Sequence, residues 1–330
     1  MKMRARASER EKMTALLEIK ERLRHFYNRF EAYVNIALKF VMTLAALLVI
    51  GNKIGFMSTL KSFPMVLLIS FVCAFLPESL IVVVVCAVMV AHLYSLSVYL
   101  AAIVLVVILI MLLLYFRFSP KDGIVLVLMP ILFQLKIPYL IPICAGLIST
   151  PLSIVSISFG TILYYVMDYA NLNSAAINNL SEEDVTTILT YIITNMLGNR
   201  ELYLSIAAFA VVVLVVFIAR KITVSYSWAI AVICGGVLNL IVYIIGILAF
   251  EVTTVSILVL VLGTIASMAL ACVFEYFFFS ADYGRTENVQ FEDDEYFYYV
   301  KAVPKLNIEK GEVNVKKINA GKAKKIRQIR

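Results

Sequence analysis

The chain has 330 residues, of which 62% are apolar and only 15% are charged, and its mean hydropathy is +0.93. Soluble globular domains are about 45–50% apolar and about 25% charged, so this composition excludes an ordinary soluble protein. Of the 29 lysines and arginines, nine lie in residues 1–31 and eleven in residues 281–330, which leaves long uncharged runs between the two ends. The sequence therefore predicts an all-α, multi-spanning membrane protein in contact with the lipid bilayer.

Three regions are predicted: a basic cytoplasmic segment at 1–31, a transmembrane domain at 32–279 and a cytoplasmic tail at 280–330. The first contains a helix start signal, Ser8 followed by Glu11, and then apolar residues at roughly helical spacing. This pattern predicts a basic amphipathic helix on the membrane surface. The alternative is an exposed helix packed on the rest of the protein. The basic residues expected to bind anionic lipid at the cytoplasmic face are Arg22, Arg24 and Arg29.

Six apolar stretches are long enough to cross a hydrocarbon core about 30 Å thick at about 1.5 Å per residue. They are residues 33–51, 97–116, 151–168, 203–219, 224–249 and 253–279. The first apolar run begins near Val34, behind a charged segment. We therefore expect a retained signal-anchor and not a cleaved signal peptide.

Basic residues in the flanks of these stretches set the expected orientation in the plasma membrane. The basic flanks outside the two termini are Arg117, Lys121, Arg220 and Lys221. Placing all of them in the cytoplasm puts both termini there as well, and puts the acidic loop 169–202 outside. Lys53 and Lys61 are the only discordant pair, because this orientation leaves both on the outer side.

Two weaker regions, 62–95 and 121–149, lie between the spans. Seven of the eight prolines fall from Pro64 to Pro151, and each region is expected to form a pair of short helices. A helix of 13 residues is about 20 Å long, too short to cross the hydrocarbon. Irregular backbone at membrane depth needs protein or a water-filled cavity around it. Paired, short, proline-broken segments are typical of a transporter's binding site.

We predict that these pairs are helical hairpins entering from opposite sides, as in an inverted repeat. The first would place Glu78 at its tip, and the second would place Gln134 and Lys136 at its tip. An unpaired charge at the bilayer centre costs at least about 2.5–3.5 kcal/mol, which favours contact between Glu78 and Lys136. The alternative is ten simple spans, with this glutamate at the inner surface and this lysine at the outer surface.

Two further polar residues within apolar runs, His92 and Asn239, are candidate site residues. For His92, a hydrogen-bonded packing role is the favoured interpretation over a proton relay. For Asn239, an interhelical hydrogen bond is favoured over a ligand contact.

The outer loop is expected to contain a short amphipathic helix on the membrane surface. Ser181 is the predicted N-cap and Gly198 the predicted C-cap. The motif Asn179-Leu180-Ser181 also matches a glycosylation acceptor, although the N-cap explains the serine better. The apolar residues expected to share one face of this helix are Val185, Ile188, Leu189, Ile192 and Met196.

The cytoplasmic tail predicts a small β element and a basic end. Side chains alternate from Tyr296 to Ala302 after an acidic turn at 292–295, and a second alternating pair flanks Lys310-Gly311. From Lys316 onward there are seven basic residues and no acid. This end is interpreted as a solvated tail or an attachment to anionic lipid, and no nucleic acid is expected as a partner. The lysines assigned to membrane attachment are Lys316, Lys317, Lys324 and Lys325.

Catalytic and cofactor motifs are missing from the sequence. It contains no G-x-x-x-x-G-K-[ST], no G-x-S-x-G and no H-E-x-x-H, so a P-loop ATPase, a serine hydrolase elbow and a zincin site are not predicted. His25 and His92 are the two histidines. The acidic cluster 292–295 is interpreted as a turn and not as a divalent-cation site. We therefore predict no metal and no cofactor.

Two stretches, "LLYFRFSPKD" at 113–122 and "VQFEDDEYFYYVKAVPK" at 289–305, carry a resemblance. They resemble a family of uncharacterised multi-spanning membrane proteins from Gram-positive Firmicutes bacteria that are often labelled automatically as ABC transporter permeases. This resemblance implies a bacterial plasma membrane, a transport role and a separate ATPase as a possible partner. It implies no functional residue.

The favoured prediction is a transporter or permease component that moves an unknown solute. The residues predicted to line its site are Glu78, Gln134, Lys136, His92 and Asn239. The second hypothesis is a non-transporting scaffold or cell-envelope assembly factor, which recruits an envelope protein through the N-terminal helix and the β tail. The third is an intramembrane enzyme that modifies lipid.

Overall fold

The computed structural model describes residues 2–179, 185–222, 224, 226–252, 256–278, 287–293 and 295–302. The first helices are α1 Lys2–Ile54, α2 Ser58–Lys61, α3 Phe63–Ala74, α4 Glu78–Leu96, α5 Val98–Phe118, α6 Gly123–Gln134 and α7 Leu140–Ile148. They are followed by α8 Ser153–Leu172, α9 Ser174–Asn179, α10 Val185–Leu197, α11 Arg200–Ala219, α12 Ser227–Phe250 and α13 Ile257–Phe278. An antiparallel pair, β1 Glu287–Glu292 and β2 Phe297–Ala302, comes last.

Six helices in the described part of the chain are long and apolar enough to cross a membrane: α1 from His25 onward, α4, α5, α11, α12 and α13. The predicted all-α, multi-pass membrane fold is thereby confirmed. The predicted span 151–168 is not among the six. It corresponds to α8, which has 20 residues but buries Ser153, Ser156 and Thr161. Because other helices surround α8, its buried surface need not match lipid.

The two ends of the bundle are identified by contacts between loops. At one end, Ser119 and Ser156 share a hydrogen bond of 2.7 Å, and the guanidinium of Arg220 donates to the Ser149 carbonyl at 2.9 Å. We call this end the basic face, because the predicted basic flanks, including Lys121, lie there. At the other end, here called the opposite face, Arg200 donates to the carbonyl of Phe250 at 2.9 Å, which joins the start of α11 to the end of α12.

The first interrupted region does not form a hairpin that re-enters from outside. Lys39 Nζ donates to the carbonyl of Leu76 at 3.2 Å, and Ser79 Oγ donates to the carbonyl of Pro120 at 3.2 Å. The turn between α3 and α4 therefore lies at the basic face. From there α4 runs 19 residues, about 28 Å, to the opposite face. The expected re-entry of this pair is wrong because its valine-rich arm is long enough to cross.

The second interrupted region is a re-entrant hairpin, residues 123–148. Its arms, α6 and α7, have 12 and 9 residues, which correspond to about 18 and 14 Å. Ser149 Oγ donates to Asp122 Oδ1 at 3.0 Å, so both ends of the hairpin lie together at the basic face. The chain enters and leaves on one side, as predicted for this pair. Since α4 crosses and α7 does not, the two regions are not mirror images of each other.

The hairpin turns where its sequence stops helix formation. The N–H of Ile137 donates to the carbonyl of Leu132 at 3.0 Å, and Lys136 adopts a φ of 62°. This is the Schellman arrangement, in which a left-handed residue closes the last helical turn. Glycine is the usual residue at this position, and a lysine there is strained by about 1–2 kcal/mol. Pro138 then prevents the chain from resuming the same helix.

Two glycines on neighbouring helices allow the hairpin to approach closely. A Cβ on Gly160 of α8 would lie 2.5 Å from the Cβ of Met129, and a Cβ on Gly263 of α13 would lie 2.5 Å from the carbonyl oxygen of Lys136. Neither distance is tolerated by real side chains. The backbones of α8 and α13 therefore contact the hairpin directly, which shields its short arms from lipid.

The N-terminal helix and the first span form one element, α1, with a kink at Phe30 where φ is −122° and ψ is 26°. The kink falls at the predicted boundary between surface helix and span. Helix α1 already begins at Lys2, so Ser8 lies inside it and the predicted helix start at this serine is wrong. Lys20 Nζ donates to the carbonyl of Tyr276 at 3.1 Å, so this segment contacts the end of α13.

The outer helix and the β element were largely predictable. In the predicted apolar face of α10, Ile188, Ile192 and Met196 are buried, Leu189 is half-buried and Val185 is exposed. Gly198 follows the last residue of this helix, and the predicted N-cap Ser181 lies outside the described residues. In the tail, β2 pairs with β1 in register, with Phe291 opposite Tyr298. The second alternating pair around Lys310-Gly311 lies outside the described residues.

Candidate functional site

A cavity of about 240 Å³ lies between the tip of the re-entrant hairpin and four neighbouring segments. Its walls come from the hairpin turn, α8, α11, α12 and the start of α13. The lining residues are Phe133, Lys136, Pro138, Tyr139, Tyr164, Tyr165, Glu201, Tyr243, Ser256, Val259 and Leu260. Its volume approaches the 300–1,000 Å³ typical of small-molecule sites.

The carboxylate of the site is placed by a helix start. Glu201 lies in the first turn of α11, where the Asn199 side chain accepts hydrogen bonds from the backbone N–H groups of Glu201 and Leu202 at 3.0 and 3.3 Å. An acidic residue is stabilised at this position by the helix dipole. The local sequence thus determines where the Glu201 carboxylate lies in the cavity wall.

The walls are largely aromatic. The rings of Phe133 and Tyr164 stack with centroids 4.3 Å apart, whereas Tyr139 and Tyr243 meet edge to face at 5.5 Å. Phe133 also meets Tyr165 nearly at right angles, with centroids 5.7 Å apart. These arrangements join rings from the hairpin, α8 and α12 into one cluster. The cluster holds the hairpin tip against the long helices.

A directed chain of hydroxyl groups runs along one wall. Tyr165 donates its proton to Glu201 Oε1 at 3.1 Å, and Tyr243 donates to Ser205 Oγ at 2.9 Å. The Ser205 and Tyr165 oxygens are 2.9 Å apart. Since the Tyr165 proton is already used, Ser205 must be the donor in that bond. Every proton in the chain therefore points toward the carboxylate of Glu201.

An ion pair flanks the aromatic cluster at the opposite face. Lys53 Nζ contacts Asp168 Oδ1 and lies 4.1 Å from the centroid of the Tyr164 ring. The ion pair gives this lysine a partner of opposite charge. It accounts for one of the two basic residues that were discordant with the predicted orientation.

Of the five predicted site residues, Lys136 is the one that lines this cavity. Gln134 is exposed at the same hairpin turn but is not part of the lining. Glu78 lies at the basic face with Lys39 and Gly123, beside a cavity of about 20 Å³. That volume holds about one water molecule. The full length of α6, about 18 Å, separates Glu78 from Lys136, so the structure does not bring this predicted pair together.

The other two predicted residues hold helices and linkers in place. His92 is buried, and its Nδ1 accepts a hydrogen bond from the backbone N–H of Met57 at 3.3 Å. Asn239 is buried, and its Nδ2 donates to Thr264 Oγ1 at 3.1 Å, which joins α12 to α13. These hydrogen bonds are of the kind that the favoured packing interpretations describe.

Among the predicted membrane-anchoring residues, Arg22 and Arg29 are exposed on α1. The guanidinium carbon of Arg29 lies 5.5 Å from the Phe30 ring centroid. The side chains of Arg24, Lys316, Lys317, Lys324 and Lys325 lie outside the described part of the structure.

The base of the hairpin has its own polar contacts. Burial raises the pKa of the Asp122 carboxyl, and the hydrogen bond from Ser149 partly offsets that effect. Arg220 donates to the carbonyls of Leu147 and Ser149. The hairpin is therefore fixed at its base by polar groups and at its tip by aromatic contacts.

Sequence reasoning missed Glu201 and the tyrosines. Glu201 was interpreted only as one of several acidic residues in a loop. A signal for the tyrosines was present, because Tyr164, Tyr165 and Tyr243 lie inside apolar runs, and a buried tyrosine hydroxyl usually requires a partner.

No protein-family model, no curated protein and no solved structure matches this chain. The site is therefore interpreted from its own geometry and chemistry.

Proposed function

We propose that this multi-pass membrane protein is a transporter or permease component, and that its solute site is the cavity at the tip of the re-entrant hairpin. The observation that carries the proposal is the position of this cavity. Broken helices that end inside a bundle are where secondary transporters place their substrate sites. The cavity here lies where α6 stops short of the opposite face, and it is lined by both polar and aromatic groups.

The boundaries of the cavity suggest how a solute would enter. Glu201 and Ser256 both line the cavity and lie at or just before helix starts on the opposite face. Toward the basic face, the way is closed by the hairpin itself and its packing against Gly160 and Gly263. Passage of a solute therefore requires movement of the hairpin tip. The proposal assigns the gate to this element.

Flux through the purified protein in lipid vesicles tests the proposal. Vesicles would be offered labelled amino acids, organic cations, organic anions and sugars. We expect at least one class to cross faster than in protein-free vesicles. Val259 lines the cavity, so Val259→Trp should fill the site and return flux to the protein-free rate. Leu258, the neighbouring residue on α13, is 70% exposed and outside the lining, so Leu258→Trp is the matched control.

Two results would overturn the transport proposal. The first is that no solute class moves faster than in protein-free vesicles. The second is that Val259→Trp and Leu258→Trp transport equally well.

The location in the plasma membrane and the cytoplasmic position of the basic face are parts of this proposal. Basic residues favour the cytoplasmic side, and the resemblance to Firmicutes proteins labelled as ABC transporter permeases agrees with a bacterial membrane and a separate ATPase partner. A single-cysteine variant, Lys121→Cys, tests the orientation. The new thiol should react with an impermeant maleimide only after the membrane is opened. Reaction in intact cells would show that the basic face lies outside the cell, opposite to the proposed orientation.

A scaffold function is the second candidate, and the β hairpin favours it. Val289 and Phe291 share one face of the β hairpin and are 45% and 52% exposed, and an isolated two-stranded hairpin is only marginally stable in water. A partner covering this surface would stabilise it. Removing residues 281–330 should abolish partner cross-linking while leaving any solute flux intact. Loss of flux without loss of a cross-linked partner would exclude this candidate.

A further inference from the structure

On the basis of the proposed function, we infer that the substrate is a small zwitterion, with an ammonium group that binds Glu201 and the aromatic walls, and an anionic group that binds Lys136. The cavity lining contains one acidic and one basic side chain, Glu201 and Lys136, on different elements. A ligand with both charges satisfies both residues. A simple cation would meet the ammonium of Lys136, and a simple anion would meet the carboxylate.

The hydroxyl chain defines the end of the cavity that receives the positive charge. The hydrogen bonds run in one direction: Tyr243 donates to Ser205, and Ser205 donates to Tyr165. Tyr165 in turn donates to Glu201 Oε1. Glu201 is therefore the acceptor at the end of this chain. A carboxylate has about four lone-pair positions, so Glu201 can accept an ammonium group in addition to the hydrogen bond from Tyr165 and its other existing contact.

The aromatic cluster is suited to an ammonium group, as a contact within the protein demonstrates. Lys53 Nζ already lies 4.1 Å from the centroid of Tyr164, within the distance of about 6 Å at which a cation and a ring attract each other. Tyr139, Tyr165 and Tyr243 are further rings of the same cavity. Tyrosine rings attract cations electrostatically, and burial strengthens that attraction.

The anionic end of the ligand is assigned to Lys136. This residue is exposed at the hairpin tip and is part of the lining. Among the described residues, no carboxylate lies within 4 Å of its ammonium group. Its positive φ places a long, charged side chain where a glycine would be free of strain. A bound anionic group would be a functional reason for the lysine, and binding there would couple the ligand directly to the element assigned as the gate.

Three small probes separate the charge contributions: glycine betaine carries both charges, choline only the ammonium charge, and 3,3-dimethyl-1-butanol is an uncharged isostere of choline. Binding to the purified full chain would be measured by calorimetry. We expect affinity to fall from glycine betaine to choline to the alcohol. Each step should be about tenfold, which corresponds to about 1.4 kcal/mol.

Two substitutions assign the charges to residues. Glu201→Gln should remove the preference of choline over the alcohol, because the amide still accepts the bond from Tyr165 but carries no charge. Lys136→Gln should remove the preference of glycine betaine over choline. Glu201→Asp restores the charge and should restore the ammonium preference in part. Glu78→Gln is the matched control and should bind all three probes as the wild type does.

The outcomes separate this inference from the transport proposal. If the three probes bind equally, or if Glu201→Gln keeps the ammonium preference, the inference is wrong even where another solute is transported. If the Glu201 and Lys136 variants lose the expected binding preferences but no solute crosses the vesicle membrane, the inference about binding is correct and the transport proposal is wrong. Should Glu201→Gln fail to fold, Glu201→Asp with Val259→Trp decides the matter: the aspartate must retain the ammonium preference, and the tryptophan must abolish binding of all three probes.

Discussion

Replacing Gly263 by alanine tests whether the hairpin tip is seated against α13. The new Cβ would lie 2.5 Å from the carbonyl oxygen of Lys136 and 3.1 Å from Tyr139 Cε2, whereas ordinary contacts begin at 3.4 Å. The oxygen must therefore move by about 0.9 Å. Because the obstacle is backbone, no side-chain rotation can relieve it. Overpacking of this kind costs about 1–3 kcal/mol.

A second buried helical glycine provides the control. A Cβ on Gly51 of α1 would meet only Lys61 Cγ at 3.8 Å, which is ordinary contact. Both substitutions gain the helix propensity of alanine over glycine, about 1 kcal/mol. We therefore expect Gly51→Ala to stabilise the protein by up to about 1 kcal/mol and Gly263→Ala to be less stable than Gly51→Ala by about 1–3 kcal/mol. Their difference isolates the contact with the hairpin.

Unfolding in mixed detergent micelles, followed by the fluorescence of the single tryptophan, Trp228, measures both variants. If Gly263→Ala is as stable as Gly51→Ala, the hairpin tip is not packed on α13. The cavity would then lose one of its walls, and the reasoning about the site would fail with it.

Three further predictions concern the base of the hairpin, the flanking ion pair and the β hairpin. Arg220→Ala removes two hydrogen bonds to carbonyls of the hairpin base. Each is worth about 1.5–3 kcal/mol because the donor is charged. The hairpin base should therefore open more often, and alkylation of the half-buried Cys144 on α7 should become at least about tenfold faster. Lys53→Met leaves the Asp168 carboxylate, which is 33% exposed, without its cation. We expect the free energy of unfolding, measured with a chemical denaturant, to fall by about 1–3 kcal/mol. The double variant Lys53→Met with Asp168→Leu should recover most of that loss. Hydrogen bonds from the N–H groups of the turn and from a tyrosine hydroxyl lower the pKa of Asp293, so amide protection of β1 and β2 should be full above the ordinary value of about 3.9 and fall as the pH drops through the lowered pKa.

Each of these has a matched comparison. Lys221→Ala changes a neighbouring exposed cation and should leave Cys144 alkylation unchanged; equal acceleration by both variants would contradict the role of Arg220. The double variant must not be as unstable as Lys53→Met alone, because that result would show that the unpaired Asp168 carboxylate does not cause the loss of stability. For the β hairpin, Asp293→Asn should abolish the pH dependence of amide protection, measured relative to the intrinsic exchange rate at each pH. A variant whose protection still falls with pH would assign the effect to another carboxylate.

Periodicity and length predicted the membrane-spanning part of the fold well. The apolar runs became α1, α5, α11, α12 and α13, because lipid accepts only helices whose outward surface is apolar. The hairpin at 123–148 was also predictable, since two proline-containing arms this short cannot cross the bilayer. The prediction rests on a physical limit that can be counted in the sequence, namely the number of helical residues needed to span about 30 Å.

Helix α8 and α4 show where that reasoning fails. Both have about the length of a span, yet α8 is the more polar and the more buried, and α4 was assigned to a hairpin. Hydropathy reports exposure to lipid and not position in the bundle. A helix surrounded by protein can keep serine, threonine and aspartate, so its polarity does not reveal whether it crosses.

The site was only partly predictable for a different reason. Lys136 belongs to a local feature, a turn between broken helices, and local sequence revealed it. Glu201, Tyr165 and Tyr243 come from three helices far apart in the chain, and no spacing rule joins them. Glu78 was assigned to the site because it was predicted at the tip of a re-entrant hairpin, whereas the turn that carries it lies at the basic face, at the end of the bundle.

The position of the re-entrant hairpin in the chain has a consequence for biosynthesis. Helices α1 and α4, which pack against α6, precede the hairpin, whereas α8, α11 and α13 follow it in sequence. A ribosome therefore releases residues 123–148 before the rest of the surface that covers them exists. Neither arm is long enough to be left in lipid as a finished segment. The nascent hairpin must therefore wait at the membrane boundary or within the insertion machinery. Its entry into the bundle is a late step of assembly, completed only when the last helix has been made.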